Sequence, residues 1–373
     1  MSRSPRAAPS GTVVWSTPIF YIGRSRTASR IPGRYHRSKT TSVAGSVVGM
    51  QRSSHLIASV ADAALEASVV GSFSRLGFDV RRLSGRWEDP PRLDGRTVLV
   101  TGASSGIGRA VALGLGRCGA NVILTARNLD RLNLAAKSVV GVGGTAVVVP
   151  ADLVEPSQVE ALVERIGAIC TGVDAVVHNA GALFPRYSQA ADGSELTVAT
   201  HVLAPFRLTR QMSTLMNSQR YVLVTVSSGG MYTERFDLSR LEMNRSDYRG
   251  AVAYARAKRA QVVLASQWQL RLGTGVLSYS THPGWVRTAG LDAGLPGMAR
   301  LGPLLRTPEQ GADTIVWLVC EALAGGQAPP SGFWHDRRLR GVYYRPGTRR
   351  SPAQERSDGE ALWCWCVDRT RIP

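Results

Sequence analysis

Tyr254 and Lys258 stand four residues apart in Tyr-Ala-Arg-Ala-Lys, inside a stretch over 251–272 that reads as helix. Positions i and i+4 lie on one helix face, which makes the phenol and the ammonium neighbours. A free tyrosine titrates at about 10 and is a poor proton donor or acceptor at neutral pH. A positive charge beside it favours the phenolate and lowers that value, which suits the phenol to acid–base work. The pattern by itself occurs on ordinary helices. Here the lysine is one of three in the chain, with Lys39 and Lys137, against 42 arginines. Such arginine bias reads as GC-rich coding, so a lysine retained at this place points to a need for lysine.

A second group of residues has the chemistry of a phosphate cradle. Residues 97–108 read Thr-Val-Leu-Val-Thr-Gly-Ala-Ser-Ser-Gly-Ile-Gly. The β-branched run from Thr97 to Thr101 suits a buried strand, and an apolar helical pattern opens at Ile107. Between them Gly102, Gly106 and Gly108 let the backbone, with Ser104 and Ser105 in the turn, approach a pyrophosphate closely. The free N–H groups and positive end of the following helix would face that anion. The spacing is Gly-x-x-x-Gly-x-Gly, which differs from the common dinucleotide spacing Gly-x-Gly-x-x-Gly. The next strand ends Leu124-Thr125-Ala126-Arg127, where an NAD site places a carboxylate on the ribose 2′-hydroxyl. The acid is missing, and the forked guanidinium of Arg127 matches a 2′-phosphate instead. Arg109 is placed to assist, so NADP(H) is expected over NAD(H).

These residues need a scaffold of alternating elements. Strands are expected at Thr97–Thr101, Asn121–Ala126, Ala146–Pro150, Val173–His178, Tyr221–Val226, Val276–Tyr279 and Gly332–Trp334. Helices are expected over Gly106–Cys118, Leu129–Ser138, Pro156–Gly167, Ser194–Met216, Ala251–Leu272 and Glu309–Leu323. Strict alternation implies an α/β domain with a doubly wound parallel sheet, right-handed crossovers and helices on both faces. Ligands bind such a sheet at the carboxyl ends of its strands, and each motif falls there.

The string Thr-Gly-Ala-Ser-Ser-Gly-Ile-Gly, with Asn179-Ala180-Gly181, Val226-Ser-Ser-Gly-Gly-Met231, Tyr254-x-x-x-Lys258 and His282-Pro283-Gly284-Trp285-Val286-Arg287-Thr288, resembles the short-chain dehydrogenase/reductase family. The resemblance covers about 93–334, with the motifs in family order. It implies a single Rossmann-type domain, a nicotinamide cofactor and no metal. It further implies that Asp152 meets the adenine amino group and that Asn179, Ala180 and Gly181 line the cofactor. Pro283 and Gly284 would form the turn from which the Val286 backbone holds the carboxamide, with Thr288 at the carboxamide or the pyrophosphate. By the family's pattern Ser228 is the catalytic hydroxyl, with Ser227 as the alternative, and Lys258 grips the ribose and lowers the Tyr254 pKa. Twenty-six residues separate Ser228 from Tyr254, about twice the family's plain interval, so Thr233 to Arg249 reads as an inserted loop. Retinol-dehydrogenase-like members resemble this arrangement. His201 stands where the family has an asparagine that kinks its helix and holds a relay water. An imidazole that holds the water in its place would add a group titrating near neutrality. The motifs Val-Ser-Ser-Gly-Gly-Met and His-Pro-Gly-Trp, with Pro-Ser-Gly-Phe-Trp-His-Asp-Arg at 330–337, are similar to the branch that contains dehydrogenase/reductase family member 12.

On this reading the chain transfers a hydride between NADP(H) and a carbonyl or alcohol carbon. The segment Thr288–Thr307 would be the substrate lid, and its leucines and methionine favour a small lipophilic substrate. The same residues would equally serve subunit packing in a homo-oligomer. A cofactor-binding sensor or scaffold with little turnover is the rival, supported by His201 and opposed by the intact Ser228, Tyr254 and Lys258. The nucleotide-sugar epimerases, suggested by chain length, need Gly-x-x-Gly-x-x-Gly.

The 373 residues exceed what one such domain needs, so tails are expected. The net charge of +18 is uneven, because nine basic residues and no acid precede Asp62. With no aromatic-and-basic motif beside it, this excess is poor evidence for nucleic acid. Residues 1–49 read as a disordered basic extension, either preceding a true start at Met50 or acting as a mitochondrial transit segment. Residues 50–94 read as one amphipathic helix over 56–78 followed by a linker from Arg81 to Asp94. That helix would cover its own domain or touch a membrane surface. The domain proper would occupy 95–345, and 346–373 a tail with a short helix near Ala353–Val367. Five scattered cysteines form no disulfide or zinc pattern, which suits a reducing cytoplasm.

Overall fold

The computed structural model describes residues 59–372 apart from 218–219, 289–290, 292–296 and 345. The basic extension at 1–49 lies outside the described residues. Among them eight strands form one sheet, in the order β3-β2-β1-β4-β5-β6-β7-β8. These are β1 Thr97–Thr101, β2 Asn121–Thr125, β3 Thr145–Val148, β4 Ala175–His178, β5 Tyr221–Val226, β6 Val276–Thr281, β7 Gly332–His335 and β8 Arg338–Arg340. Every neighbouring pair is parallel except β7 and β8, which form an antiparallel hairpin. The β-branched runs explain the strands, since residues of β1, β2 and β4–β6 are buried on both faces. The order reverses between β1 and β4, and a ligand crevice opens at such a switch point.

On one face lie α4 (Gly106–Arg117), α5 (Leu129–Val140) and the helix Pro308–Leu323, packed over Val98, Val100, Val122 and Leu124. The other face is covered by α6 (Pro156–Ile169), α7 (Leu196–Val198), α8 (Ala204–Met212) and α9 (Gly250–Leu272), over Leu99, Ile123, Val176 and Leu223. The helix Pro308–Leu323 is α10. The last helix, α11 (Pro352–Thr370), starts with a capping box formed by Ser351 and Gln354. It lies on α9, where Trp363 packs edge-on against Phe206 and Trp268, 5.0 and 4.9 Å between ring centroids.

Three expectations need correction. The single helix over 56–78 is three helices: α1 over 59–66, α2 at Val69–Phe73 and α3 at Arg75–Gly85. Ser68 caps α2 through its side chain, and Ser74 is extended and separates α2 from α3. The apolar stripe is therefore split, with Val60 and Val69 exposed and Phe73 buried. The expected linker from Arg81 begins inside α3, and Arg81 is itself buried. Its guanidinium pairs with Asp62, Glu66 and Asp336, at 2.7, 2.7 and 2.8 Å. The N-terminal helices thus belong to the domain. Among the described residues no helix is long and apolar enough to cross a membrane.

The long helix expected over Ser194–Met216 is also broken. A π-turn, Ala199–Leu203, separates α7 from α8, and the Ala204 N–H reaches back five residues to the Ala199 carbonyl. Pro205 is the physical cause. It brings no N–H to the His201 carbonyl four residues before it, and its ring crowds that oxygen.

Candidate active site

Ser228 lies two residues past β5, while Tyr254 and Lys258 come from α9, so a strand end and a helix face bring the three together. The Lys258 Nζ donates to the Val226 carbonyl at 2.8 Å and lies 5.4 Å from the Tyr254 ring centroid. Ser227 is occupied elsewhere, its buried hydroxyl donating to the Lys258 carbonyl at 2.9 Å. Ser228 faces the phenol. Its Oγ accepts from the Gly230 N–H at 3.2 Å and caps the short turn Gly229–Thr233.

The electrostatics differ from the sequence expectation. Burial pushes the Tyr254 phenol up from its ordinary value, and the Ser228 hydroxyl opposes that in part. Burial also lowers Lys258, to about 7. The lysine points to the Val226 carbonyl and does not pull the phenol down, so by the protein's own groups Tyr254 is a neutral acid at neutral pH.

His201 is fully buried, and its ring stands near Gly181 and Tyr254. Its Nε2 carries the proton, since it donates to the Ala182 carbonyl at 2.8 Å. Nδ1 has no partner among the described residues. Burial and the Lys258 charge hold its pKa well below the ordinary value. The expected group titrating near neutrality is therefore not this imidazole. The His201 carbonyl, freed by Pro205, accepts from Gln261 Nε2 at 2.8 Å. Gln261 was missed from the sequence, although its place three residues after Lys258 puts it on that helix face.

The cofactor motifs converge on the carboxyl edge of β1. Gly102 has φ +66°, and a Cβ there would come 2.9 Å from the Ala180 Cα. A Cβ on Gly108 would strike Asn179 Nδ2 and the Gly102 carbonyl, each at 2.3 Å, so close packing of α4 against the turn requires glycine. Asn179 Nδ2 donates to the Thr101 carbonyl at 3.0 Å, and the Asn179 and Ala180 N–H groups donate to Thr101 Oγ1, both at 3.0 Å. Thr288 reaches the same turn, with its Cγ2 3.3 Å from where a Gly106 Cβ would sit. An open pocket beside it is lined by Ser104, Ser105, Gly106, Arg109, Arg131 and Leu134. Ile107 packs against the core below. Arg127 is 77% exposed and lies 4.0 Å from Asp152. Asp152 itself turns its Oδ1 to the Val154 N–H. Arg131, one turn into α5, had no sequence motif to mark it.

Beyond β6, Gly284 N–H donates to His282 Nδ1 at 3.0 Å, turning the chain after Pro283. Val286 is buried and bridges to Arg306, which fixes both ends of the proposed lid. Much of that lid, 289–290 and 292–296, lies outside the described residues.

These residues fit a nicotinamide dinucleotide: a glycine cradle at a helix N-terminus, guanidinium groups at its flank, and a hydroxyl past β5 paired with an acid on α9. Comparison with known proteins agrees. A family model described as short chain dehydrogenase matches residues 96–294. "Putative daunorubicin C-13 ketoreductase DnrU" of Streptomyces sp. (strain C5) is 37% identical over 250 residues, 66% of this chain and 85% of that protein. The human "Dehydrogenase/reductase SDR family member 12" is 33% identical over 271 residues, 71% of this chain and 84% of that one. Among solved structures, an uncharacterised protein from Mycobacterium paratuberculosis superposes with a TM-score of 0.58 at 26% identity, covering 76% of this chain and 97% of its own.

Proposed function

The chain belongs to the short-chain dehydrogenase family and is an oxidoreductase; from that premise we propose that it is an NADP(H)-dependent reductase of lipophilic ketones or aldehydes. The observation that carries this reading is the meeting of Ser228, Tyr254 and Lys258 two strands along the sheet from the glycine turn. When bound, the nicotinamide supplies the hydride. Tyr254 holds a proton at neutral pH, because burial raises its pKa, and it gives that proton to the substrate oxygen. The Ser228 hydroxyl donates to the same oxygen and steadies the charge that develops on it. Lys258 is positively charged below about pH 7 and grips the ribose hydroxyls. With its pKa close to the working pH, it can also pass a proton on to Tyr254.

The preference for NADPH rests on the missing acid after β2 and on three guanidinium groups. Arg109 and Arg131 line the pocket beside the turn, and Arg127 projects into solvent at the strand end. Arg127 is offset in part by Asp152, whereas Arg131 pairs with no carboxylate among the described residues and is the stronger addition to the 2′-phosphate site. Lipophilic substrates are favoured by the half-buried Trp285, which stands near the Ser228 turn on a fully packed aromatic base of Phe73, Tyr232 and Phe333. His201 Nδ1 and Gln261 Oε1 are buried acceptors with no donor among the described residues, and a water shared with Lys258 would complete the proton path.

The test is NADPH consumption against aldehydes, ketones, retinoids and steroids, with Tyr254→Phe as control. Turnover that falls to background in Tyr254→Phe, with NADPH affinity kept, is the expected result. Equal consumption by the two proteins would overturn the assignment.

A further inference from the structure

We propose that Phe73, supplied by the N-terminal helices, is a positioning residue of the catalytic site. Its ring wedges between the Ser228–Gly229 turn and the Trp285–Val286 segment and sets their spacing. The role rests on the functional reading above, because Ser228 is the group it positions.

Phe73 is the last residue of α2 and is 4% exposed, while Val69 and Val70 of the same helix are 55% and 51% exposed. One apolar side chain of three is thus inserted, and its place is specific. A Cβ on Gly229 would lie 2.6 Å from Phe73 Cε2 and 3.1 Å from Cδ2, so the ring rests on the backbone beside Ser228. On its other side the ring stands at 90° to Trp285, 6.0 Å between centroids. It meets His282 edge-on at 4.2 Å. The main chain makes the same bridge. The Phe73 carbonyl accepts from the Trp285 N–H at 2.8 Å and from Arg306 Nε at 3.1 Å.

The wedge cannot shift freely. Arg306, fully buried, also donates to the carbonyls of Ser72 and Ser74 and pairs with Asp336 at 2.6 Å. Asp336 in turn holds Arg81 of α3. The end of α2 is therefore fastened to the segment that follows β6, and the ring projects from that fastening to Gly229. Because Gly229 has no side chain, its backbone takes its position from the ring. A side chain in either direction would separate them: a Cβ at 229 pushes on the ring, and a smaller residue at 73 releases the turn.

The experiment is a double-mutant cycle of Phe73→Ala and Gly229→Ala on the full chain, with kcat, KM, NADPH affinity and melting temperature measured for each protein. Phe73→Ala should lower kcat about tenfold, since a small misplacement of a reacting group is enough for that. KM and NADPH affinity should hold, because Ser228 acts on the developing charge and the Phe73 carbonyl is kept. Gly229→Ala should lower kcat in the natural background and have no further effect when Phe73 is already alanine. Phe73→Leu, closer in volume, should fall between and replaces the alanine if that variant does not fold. Effects on kcat that simply add, or a kcat unchanged in Phe73→Leu and Phe73→Ala, would overturn the wedge while leaving the functional reading intact. A natural protein with no turnover of any carbonyl substrate would overturn that reading, and the positioning role with it.

Discussion

The Tyr254 ring meets the His201 imidazole edge to face, 5.2 Å between centroids and at 88°. A side chain from the π-turn thereby braces the phenol proposed as proton donor, with its own proton committed to the Ala182 carbonyl. Burial and Lys258 keep that imidazole neutral. The pH profiles of natural protein and His201→Asn should therefore inflect at the same places between about pH 6 and 8. The variant should be less stable, by about 1 kcal/mol, because the half-buried Ala182 carbonyl loses its imidazole donor. An inflection near neutrality that disappears in His201→Asn would show that the imidazole does take up a proton.

Lys258→Met should abolish turnover and yet raise stability. The folded pKa is about 7, against 10.5 for free lysine. Across that window the unfolded chain binds a proton that the folded chain does not, so this group's contribution to stability rises with pH and is least favourable below 7. The variant should melt higher than the natural protein at acid to neutral pH, by about 1–4 kcal/mol, as when a buried charge is replaced by an apolar group. The gap should close toward alkaline pH. Thermal melts at a series of pH values check this, and a gap that widens with pH would contradict it.

Arg131→Ala should weaken NADPH binding about ten- to hundredfold and leave NADH binding nearly unchanged, as expected for one lost bond to a charged phosphate. Arg127→Ala should do the same to a smaller degree, since Asp152 already offsets its charge. Fluorescence titration of both cofactors reads the two effects. Equal losses for NADPH and NADH would place these arginines elsewhere than at a 2′-phosphate.

Asp336→Asn should cost about 3–5 kcal/mol, because Arg81 and Arg306 would keep buried charges without their shared carboxylate. Asp336 is held far below the usual carboxylate range by His335, Arg306 and Arg81. Its contribution is present above the unfolded carboxylate pKa of about 4 and fades as pH falls below it. The difference in melting between the two proteins should therefore shrink in acid. A constant difference would mean that the loss is one of shape.

The parallel sheet and the turn after β1 were legible because burial on both faces leaves near-continuous apolar runs and because close backbone approach demands glycine. Tyr254 and Lys258 were legible through helix periodicity. What the sequence hid depends on distant partners. Arg81 looks like a linker residue until Asp336, far along the chain, is brought beside it. Phe73 looks like one more apolar residue of an amphipathic stripe until Gly229 shows where it goes. The π-turn was hidden for another reason. Pro205 announces a disturbed helix, but only Gln261 reveals what becomes of the released carbonyl. The lowered Lys258 likewise follows from burial, which periodicity does not measure.

The fastening of Arg81 to Asp336 also bears on how the chain is made. The two residues are 255 positions apart, so the first helices leave the ribosome long before the hairpin that neutralises them. At about 5–20 residues per second, the wait is roughly 13–50 s. During that time Phe73 and a tight group of charges have no site to enter, and the first strands assemble without them. Docking of the amino-terminal helices is thus one of the last events of synthesis, and a nascent chain stalled before residue 336 would carry that region undocked.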